Sequence, residues 1–132
     1  MITTYFKNMI SNHIWHTSSE VDLPGTYYLA LSTTEPLKDG TGVTEPDASS
    51  GYARIALVDL ADAVDGTVTN TTSLSWNELS TDQGVASYWA MFDAPSGGNL
   101  LMSNSISTKH LDAGTEIVTK PGKLMLSVLE SQ

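Results

Sequence analysis

Val85-Ala86-Ser87-Tyr88-Trp89-Ala90-Met91-Phe92 is apolar on both of its alternating sets, with Tyr88, Ala90 and Phe92 set against Trp89 and Met91. A strand covered on two faces reads this way, whereas a half-exposed strand alternates apolar with polar. The turn residues Ala94-Pro95-Ser96-Gly97-Gly98 follow, and a second run from Leu100 through Ile106 comes after them, so the pair predicts a β-hairpin. That hairpin decides the fold class, because it fixes a central antiparallel strand around which the other short segments must arrange themselves.

Working outward, Tyr27, Leu29 and Leu31 alternate with Thr26, Tyr28, Ala30 and Ser32, the pattern of a strand with one buried face. A second strand is predicted from Tyr52, placing Ala53, Ile55 and Leu57 on one side and Tyr52, Arg54, Ala56 and Val58 on the other. Asp59, Asp62 and Asp65 lead into a turn at Gly66, and short strands are expected over residues 67–70 and 73–77, the latter with Leu74 and Trp76 inward. Two more, over residues 115–118 and 123–129, flank the turn Lys120-Pro121-Gly122. Before Leu23-Pro24-Gly25 the period is helical: Ile2, Tyr5, Phe6, Met9, Ile10, His13 and Ile14 share one face, Thr3 or Thr4 is placed to cap the start, and Asn8, Ser11 and Asn12 fall on the wet side. The expected fold is mainly β: an antiparallel β-sandwich, jelly-roll-like or Ig-like, with one N-terminal amphipathic helix. Residues 1–132 are read as a single domain, with the helix in 1–17 and the sandwich in 24–130.

Composition narrows the function classes. There is no cysteine, so neither a disulfide scaffold nor a thiolate metal site is available. No apolar run reaches the roughly 18 residues of a membrane span, and His13, Trp15 and His16 interrupt any signal-peptide texture. Fifteen acidic against six basic residues give a net charge of -9, which repels phosphate backbones and anionic membranes. Neither nucleic-acid binding nor membrane insertion is expected.

Residues able to carry chemistry are few. His13 and His16 have a helical spacing compatible with metal capture, yet no third ligand can be named, and His110 sits in a polar connector; packing or surface roles are favoured. No strained Gly-x-Ser-x-Gly nucleophile turn occurs, and Asp39-Gly40-Thr41-Gly42 lacks the lysine and following helix of a phosphate loop. The acidic groups at Glu35, Asp39, Glu45 and Asp47, and at Asp59, Asp62 and Asp65, lack the ligand spacing of a calcium loop and read as solvated loops. No catalytic, metal or cofactor site is therefore predicted. Arg54, the only arginine, lies in a predicted strand, where its guanidinium suits a structural bidentate pair with a carboxylate from a neighbouring strand or loop. Among the aromatic residues Trp15, Tyr27, Tyr28, Tyr52, Trp76, Tyr88 and Trp89, most fall on core-facing positions. Trp15, Tyr28 and Tyr52 are the candidates for an exposed stacking surface.

A helix this short is marginal alone in water, so its apolar stripe must lie on its own sheet or on another molecule. An assembly interface at Ile2, Phe6, Met9, Ile10 and Ile14 is the expectation. The structureless stretch of residues 33–50 is long for a compact domain and marks a contact surface, with Glu35, Asp39, Glu45 and Asp47 on it and with Ser96 and Asn99 at the hairpin tip as further partner or receptor contacts.

Three segments, taken in order, also carry a family resemblance: Tyr27-Tyr28-Leu29-Ala30-Leu31, Gly51-Tyr52-Ala53-Arg54-Ile55-Ala56-Leu57, and Phe92-Asp93-Ala94-Pro95-Ser96-Gly97-Gly98-Asn99-Leu100-Leu101. Together they resemble small bacteriophage virion proteins of the tail-fibre, head-fibre or decoration type. Pro95 in the hairpin turn and Lys120-Pro121-Gly122 before the last strand depart from that pattern, in turns rather than in strand cores. The resemblance implies a non-enzymatic virion component, made in the host cytoplasm and built into the tail or capsid. It implies a homo-oligomer, a trimer being one candidate symmetry, with other virion proteins as partners. The alternative it leaves open is a host-surface or carbohydrate-binding module of the adsorption apparatus.

Overall fold

The computed structural model describes residues 1–15 and 23–127. Helix α1 (Thr4–Trp15) precedes strands β1 (Tyr28–Ser32), β2 (Ile55–Ala56), β3 (Thr67–Thr69), β4 (Leu74–Ser75), β5 (Val85–Phe92), β6 (Leu100–His110), β7 (Val118–Thr119) and β8 (Met125–Ser127). All strand pairs are antiparallel: a four-stranded sheet in the order β2-β1-β5-β6, and two ribbons, β3-β8 and β4-β7. The chain is thus mainly β with a single N-terminal helix.

Register explains why β5 is apolar throughout. Leu29 pairs with Met91 and Leu31 with Trp89 on one face, while Ala30 pairs with Ala90 and Tyr28 with Phe92 on the other. The first face joins Leu74, Trp76, Ile117 and Leu124 from the ribbons, and Phe6 from the helix, in the main core, which makes the arrangement sandwich-like. The second face carries a smaller cluster of Ala30, Ala90, Phe92 and Leu100, against which Met1 and Val43 pack. Small side chains let the covering segment approach closely.

This corrects two expectations. Strand β1 is buried on both faces, with Ala30 and Ser32 as inaccessible as Leu29 and Leu31. The stretch read as a free loop, residues 33–50, instead folds back beside β1: Thr33 N–H donates to Thr44 O at 2.9 Å, Thr44 N–H donates to Ser32 Oγ at 3.0 Å, and Pro36 and Pro46 are buried. Its polar composition hid this because the pinning is done by backbone groups and by Ser and Thr hydroxyls rather than by an apolar period.

The sheet's two outer edges are closed by unlike devices. On the β6 side, Ile2 bridges Met102, Thr3 N–H donates to Leu101 O at 2.9 Å, and Ser103 N–H donates to Met1 O at 2.9 Å. Thr3 then caps the helix, its Oγ1 accepting from Phe6 N–H at 3.2 Å. On the β1 side the predicted long second strand shrinks to Ile55–Ala56. Where it runs out, side chains take over: Leu31 N–H donates to Tyr52 Oη at 3.1 Å and Trp76 Nε1–H donates to Leu29 O at 3.2 Å. Unpaired strand edges invite aggregation, and beyond the two residues of β2 these edges are met by side chains and by the N-terminal residues.

The turn at Gly66 is a two-residue hairpin. Val64 and Thr67 exchange both backbone hydrogen bonds, and Asp65 and Gly66 have φ of 52° and 80°, the left-handed pair that an Asp-Gly dipeptide accepts.

Candidate functional site

Arg54 organises one end of the sheet. Its side chain is only 6% exposed, and its fork meets Glu45 with Nε donating to Oε1 at 3.0 Å and NH2 donating to Oε2 at 2.8 Å. The remaining nitrogen, NH1, donates to Ala94 O and to Gly97 O, each at 2.8 Å. The guanidinium carbon lies 3.7 Å from the centroid of the Phe92 ring, a cation–π stack. One side chain therefore joins the 33–50 segment, the strand β2 approach, the end of β5 and the turn between β5 and β6. A lysine has neither the planar fork nor the number of donors for these contacts.

Tyr52 extends the junction into the sheet. Its hydroxyl donates to Glu45 Oε1 at 2.7 Å while accepting from Leu31 N–H. Burial first, then the hydrogen bond to Glu45 and that carboxylate's charge, push the Tyr52 phenol far above the ordinary tyrosine value. The phenol is held neutral so that it can donate to a carboxylate already shared with Arg54.

The turn carried by Arg54 is braced from within. Asp93 Oδ1 accepts from Asn99 N–H at 2.8 Å, and Oδ2 accepts from Asn99 Nδ2 at 3.0 Å. Gly97 and Gly98 both have positive φ, and a Cβ on Gly98 would stand 2.5 Å from Asp93 Oδ1 and 2.7 Å from the Ala94 Cβ. Only glycine fits there. Residues 95–99 are all exposed at this tip, Ser96 and Asn99 among them.

The sequence-predicted residues fall into distinct places. Glu45, expected as a solvated contact, is instead the partner of Arg54 and Tyr52, with its side chain 23% exposed. Asp39 and Asp47 are exposed but serve their own backbones. Asp39 Oδ1 accepts from Thr41 Oγ1 at 2.6 Å and from Thr41 N–H at 3.0 Å, and Asp47 Oδ1 caps the turn Ala48–Ser50 through Ser49 N–H at 3.0 Å. Those hydrogen bonds hold both carboxyls below the usual aspartate value. Glu35 is exposed. On the helix, Ile2 and Phe6 belong to the chain's own core, Phe6 meeting Tyr27 edge-to-face at 6.3 Å, and neither presents surface in the single chain. Met9 and Ile10 are partly buried against that core, whereas Ile14 and Trp15 are 58% and 77% exposed.

The remaining candidates do not assemble into a chemical site. His13 and His110 are both exposed, and His16 lies outside the described residues. Asp59, Asp62 and Asp65 are exposed, and among the described residues no group of three His, Cys, Asp or Glu side chains is placed to hold a metal ion. Of the aromatic residues considered for stacking, Tyr52 is buried, Tyr28 half-buried, and Trp15 exposed. No described helix is long and apolar enough to cross a membrane.

Sequence reasoning missed Asn70. This buried amide donates to Thr72 O at 2.7 Å and to Lys120 O at 3.0 Å and accepts from Leu124 N–H at 3.0 Å, stitching the end of β3 to the turn before β8. Asn70 stood at the end of the strand predicted over residues 67–70, where a polar amide in a Thr-rich run gives no local signal of burial. The roles of Trp76 and Tyr52 at the β1 edge were equally hidden, since an inward aromatic does not announce what its polar atom touches.

A charged junction that braces two loops and a hairpin turn on a small β scaffold has the form of a structural part, one that presents surfaces in fixed geometry. A family model described as podophage GP4 fiber I protein gp80 matches residues 1–127, and the chain belongs to that family. No curated protein matches it. Membership implies a structural fibre protein of the phage virion, associated with other virion components.

Proposed function

We propose that this chain works as a single-domain, non-enzymatic subunit that assembles with copies of itself and with neighbouring virion proteins through the outer end of α1 and the adjoining sandwich surface. The observation that supports this is the graded burial along the helix. Ile2 and Phe6 anchor it in the core, Met9 and Ile10 are half-covered, and Ile14 and Trp15 stand in solvent with Tyr5 also 45% exposed. An isolated subunit gains nothing from a large exposed Trp beside an exposed Ile, whereas burying each such side chain at a contact contributes roughly 1.5 to 3 kcal/mol. The interface is accordingly narrower than the full apolar stripe: Ile14, Trp15 and the uncovered parts of Met9 and Ile10.

Sedimentation of the parent chain and of the double variant Ile14→Asp, Trp15→Asp tests this. The parent is expected to run as an oligomer and the variant as a folded monomer with an unchanged melting temperature. A monomeric parent, or a variant that assembles and enters particles normally, overturns the proposal.

The braced tip favours a second reading, contact with the host surface, because Ser96 is exposed on a turn that Arg54 and Asp93 hold rigid. Competition with adsorption distinguishes it: purified chain that slows phage attachment, and loses that effect with Ser96→Trp, supports a receptor contact.

A further inference from the structure

The chain's charge is unevenly spread. Three of its six basic residues, Lys109, Lys120 and Lys123, line one groove of about 540 Å³, and none of the described acidic residues does. We propose that this groove, between the outer half of β6, β7 and the turn before β8, binds an acidic sugar: a glycan unit bearing a carboxylate or a phosphate among neutral hydroxyls.

The lining fits that chemistry. Alongside the three ammonium groups it offers Ser105, Ser107, Thr119 and Asn104, and Ile106 and Met125 supply apolar surface for the C–H face of a ring. None of the three lysines forms an ion pair with a described residue, so their charge is available to a ligand. Asn104 Oδ1 accepts from Ser105 N–H at 2.9 Å, which leaves the Asn104 amide NH2 as a donor.

The site is also held in place by the fold. Lys120 and Lys123 stand at the two ends of one turn, closed by Lys123 N–H donating to Lys120 O at 3.1 Å. That turn is anchored by the buried Asn70, whose amide and carbonyl grip it at Lys120, Gly122 and Leu124. Lys109 comes from β6, where Ile106, Ser107 and Thr108 stand opposite the single Ser87, between the pairs Tyr88 with Ser105 and Ala86 with Lys109. A bulge of this kind bends its strand and re-aims side chains. A volume within the usual small-ligand range argues for a sugar rather than for a protein partner, which needs a broad face of about 800 Å². The ordinary ionic strength of about 0.15 M screens the remaining acidic surface beyond about 8 Å, so direct lysine contacts dominate inside the groove.

The test uses amide spectra of the whole chain titrated with trigalacturonate, glycerol 3-phosphate and neutral galactotriose. Shifts confined to residues 104–109 and 118–125, produced by either acidic probe and reduced as salt rises from 50 to 300 mM, are expected. Whichever acidic probe binds assigns the carboxylate or the phosphate as the group recognised. The variant Lys109→Gln, Lys120→Gln, Lys123→Gln should keep the parent spectrum elsewhere and weaken binding roughly tenfold or more. No shift with either acidic probe, equal shifts with galactotriose, or undiminished binding by the triple variant each overturns the proposal. So does a salt-sensitive self-association that the triple variant abolishes without any sugar effect, since the groove would then receive an acidic loop of a second copy.

Discussion

Replacing Arg54 by Ala should remove more stability than any other single surface-distant change at the hairpin end. The substitution deletes two charge-assisted hydrogen bonds to Glu45, two to the carbonyls of Ala94 and Gly97, and the stack on Phe92, and it strands a carboxylate that is only 23% exposed. Breaking a buried ion pair from one side costs about 3 to 5 kcal/mol, against a total of about 5 to 15 kcal/mol for a typical domain. Arg54→Lys retains the charge but loses the fork, so a cost of about 2 kcal/mol or more is expected. The double variant Arg54→Met, Glu45→Met removes both charges together and should be more stable than Arg54→Ala, because no unpaired carboxylate remains. Urea unfolding followed by Trp fluorescence measures all three, and hydrogen exchange at the Gly97 and Asn99 amides reports whether the turn loosens locally. An Arg54→Ala cost below about 1 kcal/mol would refute the reasoning. So would single-variant costs at positions 45 and 54 that simply add, since groups in direct contact should couple.

Three further outcomes are expected. Tyr52 stays protonated in the folded chain above the pH, near 10, at which an unfolded tyrosine ionises; the folded state then holds the extra proton, and stability falls by up to about 1.4 kcal/mol per pH unit above that point. Denaturation at pH 9 and 11 should show this slope in the parent and a much smaller one in Tyr52→Phe, the remainder reflecting Tyr27, which burial alone raises. Gly98→Ala forces a Cβ into Asp93 and Ala94 at positive φ and should cost well over about 1 kcal/mol by thermal melting, while an unchanged melting temperature would show the turn to be pliable. Phe6→Ala empties a core position and should cost about 3 to 5 kcal/mol, measurable in a dilute monomeric sample; an effect seen only on assembly would return this residue to an interface.

How much of this was legible beforehand differs from place to place. Strand β5 was readable to the residue because an eight-residue apolar run rich in aromatics and ending at turn residues suits a covered strand, and Leu74 and Trp76 were readable as inward because alternation runs on past the two residues of β4. Arg54 announced a bidentate partner through its rarity and position, yet Glu45 could not be picked out, because nothing in a polar segment of Thr, Pro and Asp says which carboxylate turns inward. The helix was legible as a stripe but not as two halves: Phe6 and Ile14 belong to the same broad apolar stripe, yet one is buried and the other stands in solvent. Strand β2 failed for the opposite reason. Alternation from Tyr52 to Val58 promised seven paired residues, but Tyr52 and Trp76 satisfied β1 with side-chain atoms, so backbone pairing stopped after two.

The contacts of Arg54 reach nine residues back to Glu45 and forty and forty-three residues forward to Ala94 and Gly97. Contacts between such distant points close only after the chain between them has been brought together, which places them after the local turns in the order of folding. Bonds that form late leave the rate of folding almost untouched and slow the reverse reaction instead. For a part that must outlast its maker on a particle exposed to the open environment, that is the useful side of the barrier on which to place them: endurance is set by how seldom the finished molecule opens, not by how quickly it was made.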